Sequence, residues 1–166
     1  MTQEIAEIPI PKVELPVEYG LGWRNNPLNS QAIAVNYAIP FEEFESNSSS
    51  ISKGSGTNFS QINLKGGKCY KLSCFFRFGE QGTSVRSDLT YRWYSLDKNM
   101  FFGSKGGARV ATDSYPAGGG TAAIAYVRLE KDTTFEVRVE TISADGPNHI
   151  DVGTSFDIQH LQNLQI

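Results

Sequence analysis

Metal and disulfide chemistry have little to work with in this chain, which has two cysteines and two histidines among 166 residues. Cys69 and Cys74 lie five apart in one expected strand, so their side chains point to opposite faces and both are read as reduced thiols. A CxxxxC spacing without a second pair, with His149 and His160 far along the chain, is not a zinc pattern. No metal and no other cofactor is expected. Clustered basic charge is also missing: 15 Lys and Arg are scattered among 18 Asp and Glu, for a formal net charge of -3. That removes the electrostatic footprint of a nucleic-acid binder. No run of eighteen apolar residues is present. The first residues, MTQEIAEIPIPKVELPVEYG, carry acids and prolines where a signal peptide carries positive charge followed by an apolar core. The expectation is a soluble protein without membrane partners, in which the sequons Asn47-Ser48-Ser49 and Asn58-Phe59-Ser60 carry little weight. Amphipathic helices, internal repeats and heptads are absent as well, which argues against a fibre shaft.

What the chain does have is 16 glycines and 7 prolines, with Ser/Thr/Asn stretches, breaking a 39% hydrophobic sequence at short intervals. This is the composition of many short strands joined by turns, in a length that suits one domain. Residues 1–30 hold Pro9, Pro11, Pro16 and Pro27 and show neither helical periodicity nor sustained alternation, so they are read as an extended N-terminal arm. Ile5, Ile8, Ile10, Val13, Leu15, Val17, Leu21 and Trp23 make this arm too apolar for a solvated tail, and they are expected to lie on another surface.

Residues 31–166 form the expected domain. Ile33 to Phe44 reads as a first strand interrupted at Pro40, followed by a polar surface loop, SNSSSISKGSGTN. In KCYKLSCFFRF the set Tyr70, Leu72, Cys74, Phe76 and Phe78 alternates with polar residues and faces the core. Leu89, Tyr91 and Trp93 do the same. Ala122 to Leu129 is nearly all apolar and reads as a strand covered on both faces, whereas Phe135, Val137 and Val139 alternate with Glu136, Arg138 and Glu140. TSFDIQHL closes the chain with Phe156 and Ile158 inward. About eight strands without helices imply an all-β jelly-roll β-sandwich.

Candidate chemistry is sparse. DGPNHIDVG, with Asp145, Asp151 and His149, offers oxygen ligands for calcium but too few of them, and reads better as a turn. His149 or His160 with Asp151 and a serine does not make a hydrolase: there is no GxSxG elbow, and no carboxylate pair can be assigned among Asp88, Asp97, Asp113 and Asp145. The glycine runs at 66–67 and 118–120 lack phosphate-loop spacing and read as turns with positive φ. Tyr91, Trp93, Tyr94, Phe101 and Phe102 fit either a glycan platform or a strand core. No enzymatic activity is expected.

LKGGKCYKLSCFFRF (Leu64 to Phe78), AAIAYVRLEKDTTFEVRV (Ala122 to Val139) and TSFDIQHL (Thr154 to Leu161) together resemble the jelly rolls of the tumour necrosis factor and complement globular-head superfamily. The resemblance is to the variants that recur in bacteriophage virion proteins. It implies a homotrimer packed through aromatic and small side chains. Phe75, Tyr94 and Tyr126 are the expected interface, with a covering second sheet as the other explanation for Phe75 and Tyr94. With the apolar arm, the resemblance implies a capsid decoration (cement) protein on the capsid surface of a virion, made in the host cytoplasm. Its partners would be itself and the major capsid protein or another virion protein. A receptor-binding tail-fibre or tail-tip head recognising host surface glycan is the alternative.

Overall fold

The computed structural model describes residues 17–29, 33–79, 87–110, 120–142, 149–150 and 152–162. Among them the strands are β1 (Tyr19–Trp23), β2 (Leu28–Asn29), β3 (Glu43–Ser46), β4 (Ile51–Lys53), β5 (Ile62–Leu64), β6 (Lys68–Phe75) and β7 (Phe78–Gly79). They continue as β8 (Ser87–Ser95), β9 (Met100–Val110), β10 (Ala123–Leu129), β11 (Thr133–Ile142), β12 (His149–Ile150) and β13 (Ser155–His160). Two five-stranded antiparallel sheets result, one ordered β10-β6-β13-β1-β3 and the other β4-β5-β11-β8-β9, with a small sheet β2-β12-β7 beside them. The chain crosses repeatedly between the two large sheets, at β3 to β4, β5 to β6, β9 to β10, and β10 to β11, as in a two-sheet jelly roll. No helix occurs among the described residues, so none there is long and apolar enough to cross a membrane.

Strand alternation puts the core where the sequence places it. Tyr70, Leu72, Cys74 and Phe76 from β6 and its end, Leu89, Tyr91 and Trp93 from β8, Phe135, Val137 and Val139 from β11, and Phe156 and Ile158 from β13 are all buried. Near one end of the sandwich, Phe156 meets Phe41 edge-on at 4.7 Å and lies about 6.3 Å from both Phe59 and Trp93. Edge-to-face packing of this kind adds roughly 0.5–1.5 kcal/mol per pair beyond burial. The turn between β5 and β6 is locked to the turn between β10 and β11. Gly67 has φ +76°, and a Cβ on Gly66 would stand 2.5 Å from the Lys131 backbone. Only glycine fits both places. Asp132 accepts the Gly66 N–H at 2.9 Å and the Lys65 ammonium at 2.7 Å.

Four expectations change. First, the arm ends earlier than residue 30, because Tyr19–Trp23 is an interior strand paired on one side with β13 and on the other with β3. Its alternation is inverted: Gly20 and Gly22 face inward, where a Cβ would come within 2.5 Å of Ile51 and 2.1 Å of Phe156, and the large residues face outward. Second, Ile33 to Phe44 is not one strand. It crosses the fold through isolated bridges, Ala38 to Arg138 and Phe41 to Phe59, before β3 begins. Third, the polar segment after it contains β4, anchored by the buried Ile51. Fourth, β10 is buried on one face only, and Tyr126 is 68% exposed.

Candidate functional site

The outward face of the β10-β6-β13-β1-β3 sheet carries the half-buried Leu21, Trp23, Phe75 and Ile124 and the exposed Tyr126. The register aligns Trp23 with Ser155 and Ser155 with Phe75, and aligns Leu21 with Asp157, Asp157 with Ser73 and Ser73 with Ile124. Leu21, Trp23 and Phe75 rim a shallow depression of about 270 Å3 floored by Gly22, Ser73 and Ser155. The glycines of β1 let that strand sit low over Phe156, which sends Leu21 and Trp23 to the outside. Tyr126, opposite Lys71, extends the patch towards β10.

Charge is graded across the same face. Lys71 and Arg128 stand on β6 and β10, while Glu43 and Glu45 stand on β3 at the far edge, where Tyr19 donates its hydroxyl to Glu45 at 2.9 Å. Between these margins Leu21, Trp23 and Phe75 alternate with Ser73, Ser155 and Asp157, and Asp157 accepts the Gln159 amide N–H at 2.9 Å.

The residues expected at an interface separate. Phe75 and Tyr126 share this face. Tyr94 does not: it lies on β8 in the other sheet, only 8% exposed, with the Arg138 guanidinium 3.9 Å above its ring and its hydroxyl bonded to Asn99. Arg138 is held there by Glu136 at 2.8 Å. Leu21 and Trp23, expected in a capsid-gripping arm, belong to the outward sheet face instead. Val17 is 58% exposed at the start of the described chain, and Ile5, Ile8, Ile10, Val13 and Leu15 lie outside the described residues. The sequence does carry a signal for β1: Tyr-Gly-Leu-Gly-Trp is strict alternation, hidden because the inward members are glycines.

Other candidates resolve as structure. Tyr91 and Trp93 are fully buried; the Tyr91 hydroxyl donates to the Thr121 carbonyl at 2.8 Å and the Trp93 indole to Ala123 at 3.2 Å. Burial pushes the Tyr91 phenol and Cys74 thiol pKa values well up. They offer no sugar platform. Cys69 and Cys74 are free thiols on opposite faces of β6. His160 stands beside Glu18, with Nδ1 3.4 Å from the carboxylate, while Ser48 donates its hydroxyl to Glu18 at 2.7 Å and not to the imidazole. That order gives the serine no base. Asp97 accepts the Thr134 N–H at 2.7 Å, Asp113 and Asp145 lie outside the described residues, and so does most of DGPNHIDVG. Among the described residues no group of three or more His, Cys, Asp or Glu could hold a metal ion.

No family model and no curated protein matches the chain. Among solved structures it is similar to a crystal structure of murine APRIL at pH 5.0, with a TM-score of 0.55 and 8% identity over 88% of this chain and 100% of that one. A crystal structure of murine APRIL at pH 8.5 covers the same shares at 8% identity, with a TM-score of 0.48. The fold is thus an all-β jelly roll like that of the APRIL structure at pH 5.0, the fold class expected from the sequence. At this identity the likeness speaks for the fold alone.

Proposed function

We propose that this chain is a non-enzymatic virion structural protein, a phage capsid decoration protein that assembles as a homotrimer and stabilises the capsid shell. Self-association is carried by one observation: β1 turns Tyr19, Leu21 and Trp23 outward on the same sheet face as Phe75 of β6 and Tyr126 of β10, between a basic and an acidic margin. A strand that hides glycines and shows aromatics is built for a second surface. The number of copies follows from the superfamily resemblance, whose members pack three jelly rolls about an axis. The charge gradient supports such a rotational arrangement, because each basic margin can then meet a neighbour's acidic one.

The capsid setting rests on the resemblance to virion jelly rolls and on residues 1–16, whose apolar, proline-rich composition suits a segment that lies across a neighbouring protein. Many weak copies of that contact, repeated over a lattice, give high avidity. The test is light scattering of the purified chain, followed by co-sedimentation with undecorated capsids, for the full chain and for a deletion of residues 2–16. The deletion must stop there, since removing residues through 22 would take out most of β1. A trimer that sediments only with its first residues present is expected. A stable monomer would overturn the assembly, and capsid binding unchanged by the deletion would overturn the role of the arm. A trimer that ignores capsids would favour the receptor-binding head instead.

A further inference from the structure

The second sheet carries a polar row that neither the core nor the proposed assembly face uses. Ser52 on β4 pairs in register with Asn63 on β5, and Asn63 with Thr134 on β11, so three adjacent strands present hydrogen-bonding side chains on the outward face. Each is flanked in its own strand by an inward apolar or buried residue, Ile51, Ile62, Leu64, Thr133 and Phe135. The turn after β8 continues the row with Asp97, and the turns carrying Lys65 and Asp132 wall it. Together they enclose an open cleft of about 470 Å3. That volume falls within the roughly 300–1,000 Å3 range of small-molecule sites.

Thr134 arranges the two sides of this cleft. Its hydroxyl donates to the Asn63 amide oxygen at 3.0 Å, and its backbone N–H donates to Asp97 Oδ2 at 2.7 Å. Asn63 therefore keeps its NH2 as a donor, and Asp97 keeps Oδ1 as an acceptor; neither atom has a hydrogen-bond partner among the described residues. An amide donor and a carboxylate acceptor, both tied to Thr134 and lining one cleft, match the hydroxyls of a sugar, each of which both donates and accepts. The cleft has one lysine against two aspartates, with Lys65 paired to Asp132 at 2.7 Å, so it offers nothing extra to an anion. Nor does it supply the six to eight oxygens that calcium takes, because one oxygen of Asp97 and both of Asp132 are already committed.

We infer that the cleft over β4, β5 and β11 binds a neutral sugar residue through Asn63 and Asp97, held in place by Thr134. The site is independent of the assembly face, and it uses none of the aromatics that the sequence offered for glycan. Saturation-transfer NMR with the methyl glycosides of glucose, galactose, mannose and N-acetylglucosamine tests it, with sialic acid as the anionic comparison. At least one neutral glycoside is expected to receive saturation at millimolar concentration, and more strongly than sialic acid does. Asn63→Asp, which replaces the donor by a second acceptor, and Thr134→Val, which releases Asn63, should each weaken that binding at least about tenfold, the scale of one lost hydrogen bond to a preorganised group. Tyr126→Asp, on the other sheet, should leave it unchanged. Because Asn63 is partly exposed, Asn63→Asp remains informative even if Thr134→Val lowers Tm. No transfer to any neutral glycoside, preference for sialic acid, or binding unaltered in Asn63→Asp would each overturn the inference.

Discussion

Acid should unfold this protein through one identifiable cluster. Glu18, at the entry to β1, accepts the Ser48 hydroxyl at 2.7 Å and the Lys68 ammonium at 2.9 Å and 3.1 Å, tying β1 to β6 and to the turn after β3. The Ser48 hydrogen bond first, and then Lys68, hold the Glu18 pKa down from 4.5 to about 2. A carboxylate lowered on folding contributes stability that is complete above its unfolded pKa and is lost as pH falls through the folded one, here from 4.5 towards about 2. At full strength this is worth about 3 kcal/mol. The Lys68 and Glu18 side chains remain 27% and 29% exposed, so solvent screening reduces it to about 1–2 kcal/mol. Urea unfolding of the wild type and Glu18→Gln, at one protein concentration from pH 7 to pH 3, reads it directly. Glu18→Gln should be less stable by about 1–2 kcal/mol at pH 7, with the gap closing progressively below pH 5. A gap that stays constant with pH would refute the reasoning, since a neutral packing defect does not titrate. His160 adds to the same acid limb from higher pH. Burial, and then Lys68, lower its pKa against the pull of Glu18, so its contribution is present above 6.5 and is lost as pH falls through its folded value. His160→Gln should flatten the upper part of the limb and spare the lower.

Tyr126→Asp should leave the fold intact, within about 0.5 kcal/mol by thermal unfolding of the dissociated chain, because the side chain is 68% exposed there. It should shift the assembly towards monomer by about 2 kcal/mol or more per interface, read by sedimentation velocity on dilution. Glu42→Ala removes the partner of Arg24, whose side chain is 1% exposed and meets Glu42 at 3.0 Å, and should cost about 3–5 kcal/mol in urea unfolding. Gly66→Ala drives a methyl against backbone that cannot rotate away and should cost about 1–3 kcal/mol, whereas Lys65→Ala, which removes an exposed ion pair, should cost under about 1 kcal/mol. Equal losses from these last two would show that the turn is held by charge and not by close contact.

The strands most legible in the sequence are those whose inward residues are large and whose outward ones are polar. In β6, β8, β11 and β13 the period of two is written in chemical contrast, and every inward residue read from it whose side chain is described is buried. Where the contrast fails, the reading fails with it. In β1 the inward residues are glycines, so hydrophobicity marks the wrong face. In β4 a single Ile51 among serines carries the whole inward signal. In β10, Ile124 and Tyr126 on the outward side made the strand look buried twice. Phase could also be right while location was wrong. Phe75 and Tyr94 both point away from the core, as alternation requires, yet which sheet each belongs to depends on long-range pairing that local pattern does not encode.

That difference in location decides which outer face leaves its aromatics uncovered among the described residues. On the second sheet, Tyr94 has a cover supplied by its neighbours in register: Glu136 stands opposite it on β11, and Arg138 lies across its ring. The protein has thus invested an ion pair, Glu136 with Arg138, in shielding that aromatic from water. On the first sheet no such cover lies over Tyr126 among the described residues, and it is 68% exposed. Its cross-strand neighbour is Lys71; on the same face Asp157 of β13, beside β6, accepts the Gln159 amide N–H at 2.9 Å, and Glu43 and Glu45 stand on β3 at the far edge. A side chain on β6 or β10 does not reach β3 within one subunit, whereas a neighbouring copy in the proposed assembly would bring these two margins together. The acids of β3 and the bases of β6 and β10, apart in the monomer, are charges that the proposed rotational assembly would join, and the aromatics between them are what it would bury.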